Sequence, residues 1–374
     1  MEKLNILVTG GAGFIGSHLV DSLVEKGHQV RILDSIVEQV HGANVPEHLN
    51  KDAEFIKADV CDADAVAKAL DGIDVIYHEA AEVGVGQSMY EIVRYVRAND
   101  LGTAVLLEEV IKRPKQFRKL VVASSMSIYG EGAYLCEICD KMIYPQLRSN
   151  AQLDAHDWEF SCETCGGELK PIGTTEEKTL FPTSVYAVSK QDQEQYCLSV
   201  GRAYKIPTVA LRYFNVYGTR QALSNPYTGV CAIFSSRLMN DERPVVFEDG
   251  GQTRDFVHVS DIVRANLLAL ETDKADYNTI NIGTGRPISV GEISQMLAKG
   301  LGKDIEPEFV GKYREGDIRH CIADITKARN LLGYEPQVKL EEGLAGLLDW
   351  VKNQRPDDRV EAATAELAAH QLVK

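Results

Sequence analysis

The chain predicts an α/β protein: a Rossmann-type doubly wound parallel sheet carrying an inserted zinc-ribbon-like loop, followed by a smaller C-terminal α/β domain. Three observations carry this. An apolar strand at 5–9 runs directly into closely spaced glycines and then a helix. Strand and helix patterns alternate from there to about residue 212, as parallel pairing through crossover helices requires. Two Cys-x-x-Cys pairs interrupt the alternation between 131 and 176.

Asn5-Ile6-Leu7-Val8-Thr9 is apolar on both faces, so it belongs inside a parallel sheet. Gly10-Gly11-Ala12-Gly13-Phe14-Ile15-Gly16 follows, and Ser17 to Lys26 continues as a helix. Gly10, Gly13 and Gly16 permit a tight turn, close approach of a pyrophosphate, and close helix-to-strand packing. In the order strand, turn, helix, they form a Rossmann-type dinucleotide fingerprint. The second strand, Gln29–Leu33, ends in Asp34. A carboxylate there accepts both ribose hydroxyls and repels a 2′-phosphate, which selects NAD over NADP; the competing reading is an ordinary loop aspartate. Further strands read as Glu54–Ala58, Asp74–His78 and Leu120–Ser125, with a long helical stretch from about Ser88 to Lys112. Asp59, closing the 54–58 strand, is placed to meet an adenine amino group.

The 374 residues suffice for two domains, and 40 basic against 55 acidic residues leave a net charge of −15. That balance argues against a nucleic acid or anionic membrane as partner, so an anionic ligand must be held by local arginines and helix termini. No apolar run reaches the length of a membrane span. Met1-Glu2-Lys3 leads straight into a strand, so no signal peptide is expected, and the eight cysteines are expected in a reducing cytoplasm.

In Ser184-Val185-Tyr186-Ala187-Val188-Ser189-Lys190, Tyr186 and Lys190 lie four apart, on one face of a helix. A phenol with an ordinary pKa near ~10 is a poor base at neutral pH unless positive charge sits beside it. Alone, the pair is commonplace. With Ser124-Ser125-Met126-Ser127-Ile128-Tyr129-Gly130 and the glycine loop, in that order, the chain resembles the extended short-chain dehydrogenases/reductases over roughly residues 4–350. Within them it looks like a nucleotide-sugar epimerase or dehydratase.

The resemblance implies that Ser125 hydrogen-bonds the reacting sugar hydroxyl and Tyr186 accepts its proton. Lys190 would hold the nicotinamide ribose and depress the tyrosine pKa. It further implies NAD contacts at Gly10, Gly13, Phe14, Ile15, Gly16, Asp34, Asp59, Val60, Ala80, Asn99, Tyr186 and Lys190. Asn99 matches the family's active-site asparagine or serves as a buried cap. Ser127 would lie close to the sugar.

Relatives have a short loop after Gly130. Here Cys136-Glu137-Ile138-Cys139 and Cys162-Glu163-Thr164-Cys165 stand 22 residues apart, the spacing of a four-thiolate zinc site. A disulfide pair and free thiols are the other readings, both disfavoured in a reducing compartment. Four thiolates leave no open coordination position, so the zinc would be structural. His156 and Asp157 are surplus to the set. Cys61, Cys197 and Cys231 read as small buried side chains.

The NAD-binding domain is thus assigned to 1–212, with the insertion at 131–176. A nucleotide-sugar-binding domain follows at 213–352, interleaved with the first through a returning strand near 278–283. Residues 353–374 form a polar, alanine-rich tail, read as a frayed helix. The strand Pro207–Arg212 leads to Asn215, which the resemblance assigns to the diphosphate, along with Arg254 and Arg314. Paired guanidiniums suit a diphosphate through bidentate, charge-assisted bonds. Asp317 would contact the ribose. Val245 and Phe247 would read a pyrimidine base, mainly through backbone, without separating UDP from dTDP. Cys321 stands where some hexose epimerases have a tyrosine, which would enlarge the sugar pocket.

Where dehydratase relatives carry Asp-Glu after the serine, this chain has Met126-Ser127. The remaining parts suit 4-epimerisation of a nucleotide sugar. Val83–Tyr90 and Gln221–Gly229 are similar to a bacterial subgroup that includes dTDP-L-rhamnose 4-epimerases, which makes that the first substrate expectation. UDP-hexose or UDP-uronate epimerisation, a net reductase, and an NAD-sensing scaffold are the alternatives. A homodimer through helices near 88–112 and 184–204 is implied by the same resemblance.

Overall fold

In the computed structural model, which describes residues 2–42 and 44–374, the strand Asn5–Thr9 lies inside a seven-stranded sheet. Across it the order is Thr279–Ile282, Thr208–Tyr213, Lys119–Ser125, Val75–His78, Asn5–Thr9, Gln29–Asp34, Glu54–Lys57, with every pair parallel. Alternate residues of each strand serve opposite faces. Ile6, Val8, Ile32 and Tyr77 pack on one side, and Leu7, Leu33, Ile76 and Leu120 on the other. The winding reverses between Asn5–Thr9 and Val75–His78, and the crevice at the carboxyl ends of those strands is where such sheets take ligands.

The helix expected from Ser17 begins three residues earlier, as Phe14–Glu25. The long helix expected from Ser88 to Lys112 is broken. Val85–Ser88 and Ile92–Tyr95 are short α-turns, Val96–Leu101 is a π-helical turn, and Gly102–Ile111 completes the run. The wider turn carries Asn99, which is fully buried.

The second sheet runs Asn215–Tyr217, Thr253–His258, His320–Ala323, Lys170–Thr174, Ala133–Cys136, Lys141–Ile143, with Pro287–Ser289 paired antiparallel to Thr253–His258. The inserted segment therefore supplies three of its strands. Lys170–Thr174 pairs in parallel with His320–Ala323, Gly173 opposite Ile322 and Thr174 opposite Ala323. The insertion has its own small core of Tyr134, Phe160 and Leu169 around Cys136 and Cys162. A larger core, including Tyr217, Phe256, Leu297, Leu344 and Leu347, supports the rest of this half.

The tail departs from the frayed expectation. Val360–Ala369 is a helix whose Leu367 lies over Gly86. Tyr227 donates to Glu366 (2.8 Å), and His370 stacks on Tyr90 at 4.4 Å. Beyond it, Tyr313 and Lys374 exchange backbone hydrogen bonds (3.1 and 3.0 Å), so the last residues form a short β-bridge beside Arg314. Among the described residues no helix is long and apolar enough to cross a membrane.

Candidate active site

The crevice is built from the glycine turn upward. Gly10 has φ +69°, and a Cβ there would stand 2.7 Å from the Ala80 nitrogen, so only glycine fits both the torsion and the space. A Cβ on Gly16 would run into the Gly10 carbonyl oxygen. Gly13 caps Phe14–Glu25 without a side-chain hydrogen bond, which leaves that helix's first N–H groups free for an anion; Phe14, Ile15 and Gly16 form the first turn. The Asp34 carboxylate accepts from Ala12 N (3.1 Å) and Ile36 N (2.9 Å), which holds it against the turn. Ala80 N donates to Thr9 Oγ1 (3.3 Å), while Val60 packs on Gly102. Asp59 accepts from Cys61 N (2.8 Å) and meets Arg97 at 3.4 Å, with its side chain half-exposed. A turn any Cβ would fill, an open helix N-terminus and a carboxylate closing the second strand fit an adenine dinucleotide.

Ser125 ends the Lys119–Ser125 strand, and its Oγ caps the short 3-10 turn that follows. It accepts from Ser127 N (3.1 Å) and Ser127 Oγ (2.9 Å). Both lone pairs are then used, and the Ser125 hydroxyl proton is left to donate. Opposite it, Ser184 caps the helix Val185–Tyr204 by accepting from Ala187 N (3.1 Å), and Ser88 Oγ accepts from Tyr186 N (3.0 Å). These bonds fix the first turn and with it the Tyr186 ring, which meets Tyr95 edge-on.

Burial pushes the Tyr186 phenol up, and a hydrogen bond from Ser125 works against that rise. Lys190 Nζ donates to Gln193 Oε1 at 2.7 Å, on the same buried helix face. Burial pulls the Lys190 ammonium below its ordinary value, and the Glu79 carboxyl opposes that fall. Glu79 is itself raised by burial, and accepts from the Tyr213 hydroxyl at 2.9 Å. Asn266 in turn donates to Tyr213 (2.7 Å). Glu79, Tyr213 and Gln193 were not picked out from sequence. The one signal was an acidic residue directly after the Val75–His78 strand, at the reversal of winding.

Asn99 is a correction. Both of its amide protons are committed, to the Glu82 carbonyl (3.1 Å) and Ser189 Oγ (2.8 Å), while its oxygen accepts from Glu82 N (2.7 Å). It braces the loop after Val75–His78 against the Tyr186 helix, the buried alternative to a cofactor contact.

On the other wall, the Arg314 guanidinium lies over the Phe247 ring at 4.9 Å and its Nε donates to Asp317 at 2.7 Å, so three expected contacts meet. Pro244 and Val246 carbonyls accept from Glu308 N and Val310 N, which turns the intervening Val245 backbone the other way. Asn215 Oδ1 is buried with no partner among the described residues. Arg254 is tethered more tightly than expected. Its Nη atoms donate to the carbonyls of Thr253 (2.8 Å), Arg319 (2.9 Å) and Ile318 (2.8 Å). Cys321 is also corrected: at 1% exposure it belongs to the core with Met126 and Phe214, behind the wall instead of on it.

The Sγ atoms of Cys136, Cys139, Cys162 and Cys165 all lie within 4.8 Å of one another. Cys136 to Cys165 is 3.5 Å and Cys139 to Cys162 is 3.9 Å. Tetrahedral zinc with bonds of about 2.3 Å separates its sulfurs by about 3.8 Å, whereas a disulfide needs about 2.05 Å. The donor set fits a closed four-thiolate centre.

A profile of the NAD dependent epimerase/dehydratase family matches residues 6–148, and one of GDP-mannose 4,6 dehydratase matches 158–347. The chain is 36% identical over 360 residues to the dTDP-L-rhamnose 4-epimerase of Burkholderia thailandensis, covering 95% of this chain and 96% of that one. It is 35% identical over 350 residues to a putative UDP-glucose 4-epimerase of Methanocaldococcus jannaschii (93% and 98% covered). Among solved structures, the Thermotoga maritima UDP-glucose 4-epimerase with UDP-glucose superposes with TM-score 0.75 at 34% identity, covering 93% and 99%. The Bacillus cereus UDP-glucuronic acid 4-epimerase with UDP-glucuronic acid and NAD gives 0.76 at 31%, again over 93% and 99%.

Proposed function

The chain belongs to the NAD dependent epimerase/dehydratase family, and from that premise we propose that it inverts C4 of a nucleoside-diphosphate hexose through a transient 4-keto sugar, with dTDP-L-rhamnose the favoured substrate. That it is an NAD-dependent enzyme of the nucleotide-sugar 4-epimerase kind follows from its relatives. One observation carries the reaction: Ser125 and Tyr186 face each other at the crevice, with Met126 and Ser127 where a dehydratase would need acids. The second half resembles GDP-mannose 4,6 dehydratase in sequence, but this chain lacks the acid pair for water elimination.

With substrate bound, Ser125 turns its hydroxyl to hydrogen-bond the C4 oxygen and keeps its proton, while Tyr186, as phenolate, removes the C4 hydroxyl proton. Bound NAD would supply the hydride acceptor at C4 and, after the turn of the sugar, the hydride donor. Asn215, Arg254 and Arg314 hold the diphosphate, Asp317 the ribose, and Phe247 with Val245 the base. The keto sugar can then turn about its diphosphate and present its other face. The rhamnose reading is supported by identity to the Burkholderia enzyme, and UDP-hexose or UDP-uronate by the Thermotoga and Bacillus structures. The cysteine cluster is read as structural zinc in a cytoplasmic homodimer.

The test is to denature the protein and assay released NAD. The native enzyme is then incubated with dTDP-L-rhamnose, UDP-glucose and UDP-glucuronate without reductant, and C4 followed by NMR. Interconversion without net redox change supports the reading. A strict need for NADH makes it a reductase, and no turnover with partner capture makes it a scaffold.

A further inference from the structure

Three segments assigned to the nucleotide, those of Phe247, Arg254 and Arg314, are gripped by the insertion. Glu131, at its start, accepts Arg319 N and His320 N, each at 2.7 Å. Arg319 is 1% exposed, and its guanidinium joins Glu159 of the insertion (Nε, 2.9 Å) to Glu248 (2.8 Å) and Asp249 (2.7 Å). Arg148, also of the insertion, holds Glu248 by two bonds of 2.9 and 2.7 Å. Glu248 and Asp249 directly follow Phe247. The Arg319 carbonyl is one of the three that tether Arg254. Asp154, on the inserted helix Asn150–Asp154, accepts from the Tyr313 hydroxyl at 2.6 Å, next to Arg314.

Arg148, Asp154 and Glu159 all lie between Cys139 and Cys162, so the sulfur cluster closes the loop that carries them. Among the described residues, no hydrogen bond from these three reaches Ser125, Tyr186 or the glycine turn.

We propose that the insertion is a brace for nucleotide recognition: Arg148, Asp154 and Glu159 are positioning residues that set Phe247, Arg254 and Arg314 through Arg319 and Tyr313, and closure of the four-thiolate cluster holds them in place. This rests on the nucleotide-sugar reading and goes beyond it by assigning the insertion to substrate affinity, separate from chemistry and cofactor.

The experiment uses the full chain, with UDP and dTDP as probes in calorimetry. Glu159→Gln, Asp154→Asn and Arg148→Lys are compared with wild type, and with wild type stripped by a strong chelator and checked by metal analysis. NAD released on denaturation and the thermal midpoint are measured on each sample. Loss of one or two charge-assisted bonds should weaken nucleotide binding roughly ten-fold. KM should rise in step, with kcat and bound NAD unchanged, and chelation should reproduce the pattern. Unchanged nucleotide affinity in the variants and the stripped protein overturns the proposal. So does a joint fall in nucleotide affinity, NAD content and thermal midpoint, which marks general unfolding. Wild type binding neither nucleotide sinks the functional reading itself.

Discussion

In the proposed reaction Tyr186 must lose a proton in a setting that resists ionisation. Burial raises its pKa and only Ser125 opposes the rise, so the phenol depends on positive charge brought near it. Tyr186→Phe should lower kcat by about 10² to 10⁴ while NAD stays bound, as removal of a general base does; single-turnover rates and NAD content check this. Lys190 is the other half of the balance. Its ammonium persists below its depressed pKa and is lost as pH rises through it, while Glu79 holds that value up. Glu79→Gln should therefore shift the alkaline limb of the kcat profile to lower pH by about one unit. An unmoved limb would show that Glu79 does not tune Lys190. The glycine turn, Ser125, Tyr186 and Lys190 were legible because each is a residue type demanded by chemistry at short spacing. The Glu79–Tyr213–Asn266 chain was not, since residues 79, 213 and 266 meet only once the sheet is assembled.

At the scale of elements, sequence spacing marked the cysteine pairs, yet pairing of Lys170–Thr174 with His320–Ala323 leaves no local trace. Partners so far apart along the chain announce themselves only through register. On the structural-zinc reading, Cys162→Ser should lower the zinc content from about one per chain towards none, with a lower thermal midpoint. The tail was likewise misread. Its alanine-rich composition is that of a solvated helix, whereas Leu367 is 6% exposed against Gly86. Leu367→Ala should remove about 2 kcal/mol or more of docking, seen as faster proteolysis near residue 360. Equal cleavage rates would mean the tail is held by its terminal β-bridge alone. The π-helical turn within the predicted 88–112 helix carries Asn99, whose side chain is bonded to Glu82 and Ser189, a demand that helix propensity does not record.

Over the whole molecule, the conspicuous apolar surface lies on the turns and helix expected to form a dimer. Val93 is 80% exposed; Ile92, Val96 and Leu101 are exposed in the same stretch, as are Val188 and Tyr196 on the helix Val185–Tyr204. Patches of this kind are usually covered by a partner. Val93→Asp should convert a dimer to monomer in sedimentation velocity, and a wild type already monomeric at micromolar concentration would remove the dimer.

The strand Thr279–Ile282 sits outside Thr208–Tyr213 in the first sheet, and that placement governs how the chain is made. A ribosome that has released the chain through Tyr213 has not yet delivered the strand that covers the Thr208–Tyr213 edge. The nascent chain exposes that raw edge until the strand Thr279–Ile282 has emerged as well. Cutting the gene near the apparent boundary should therefore yield a fragment that aggregates, and no tandem of independently folding halves.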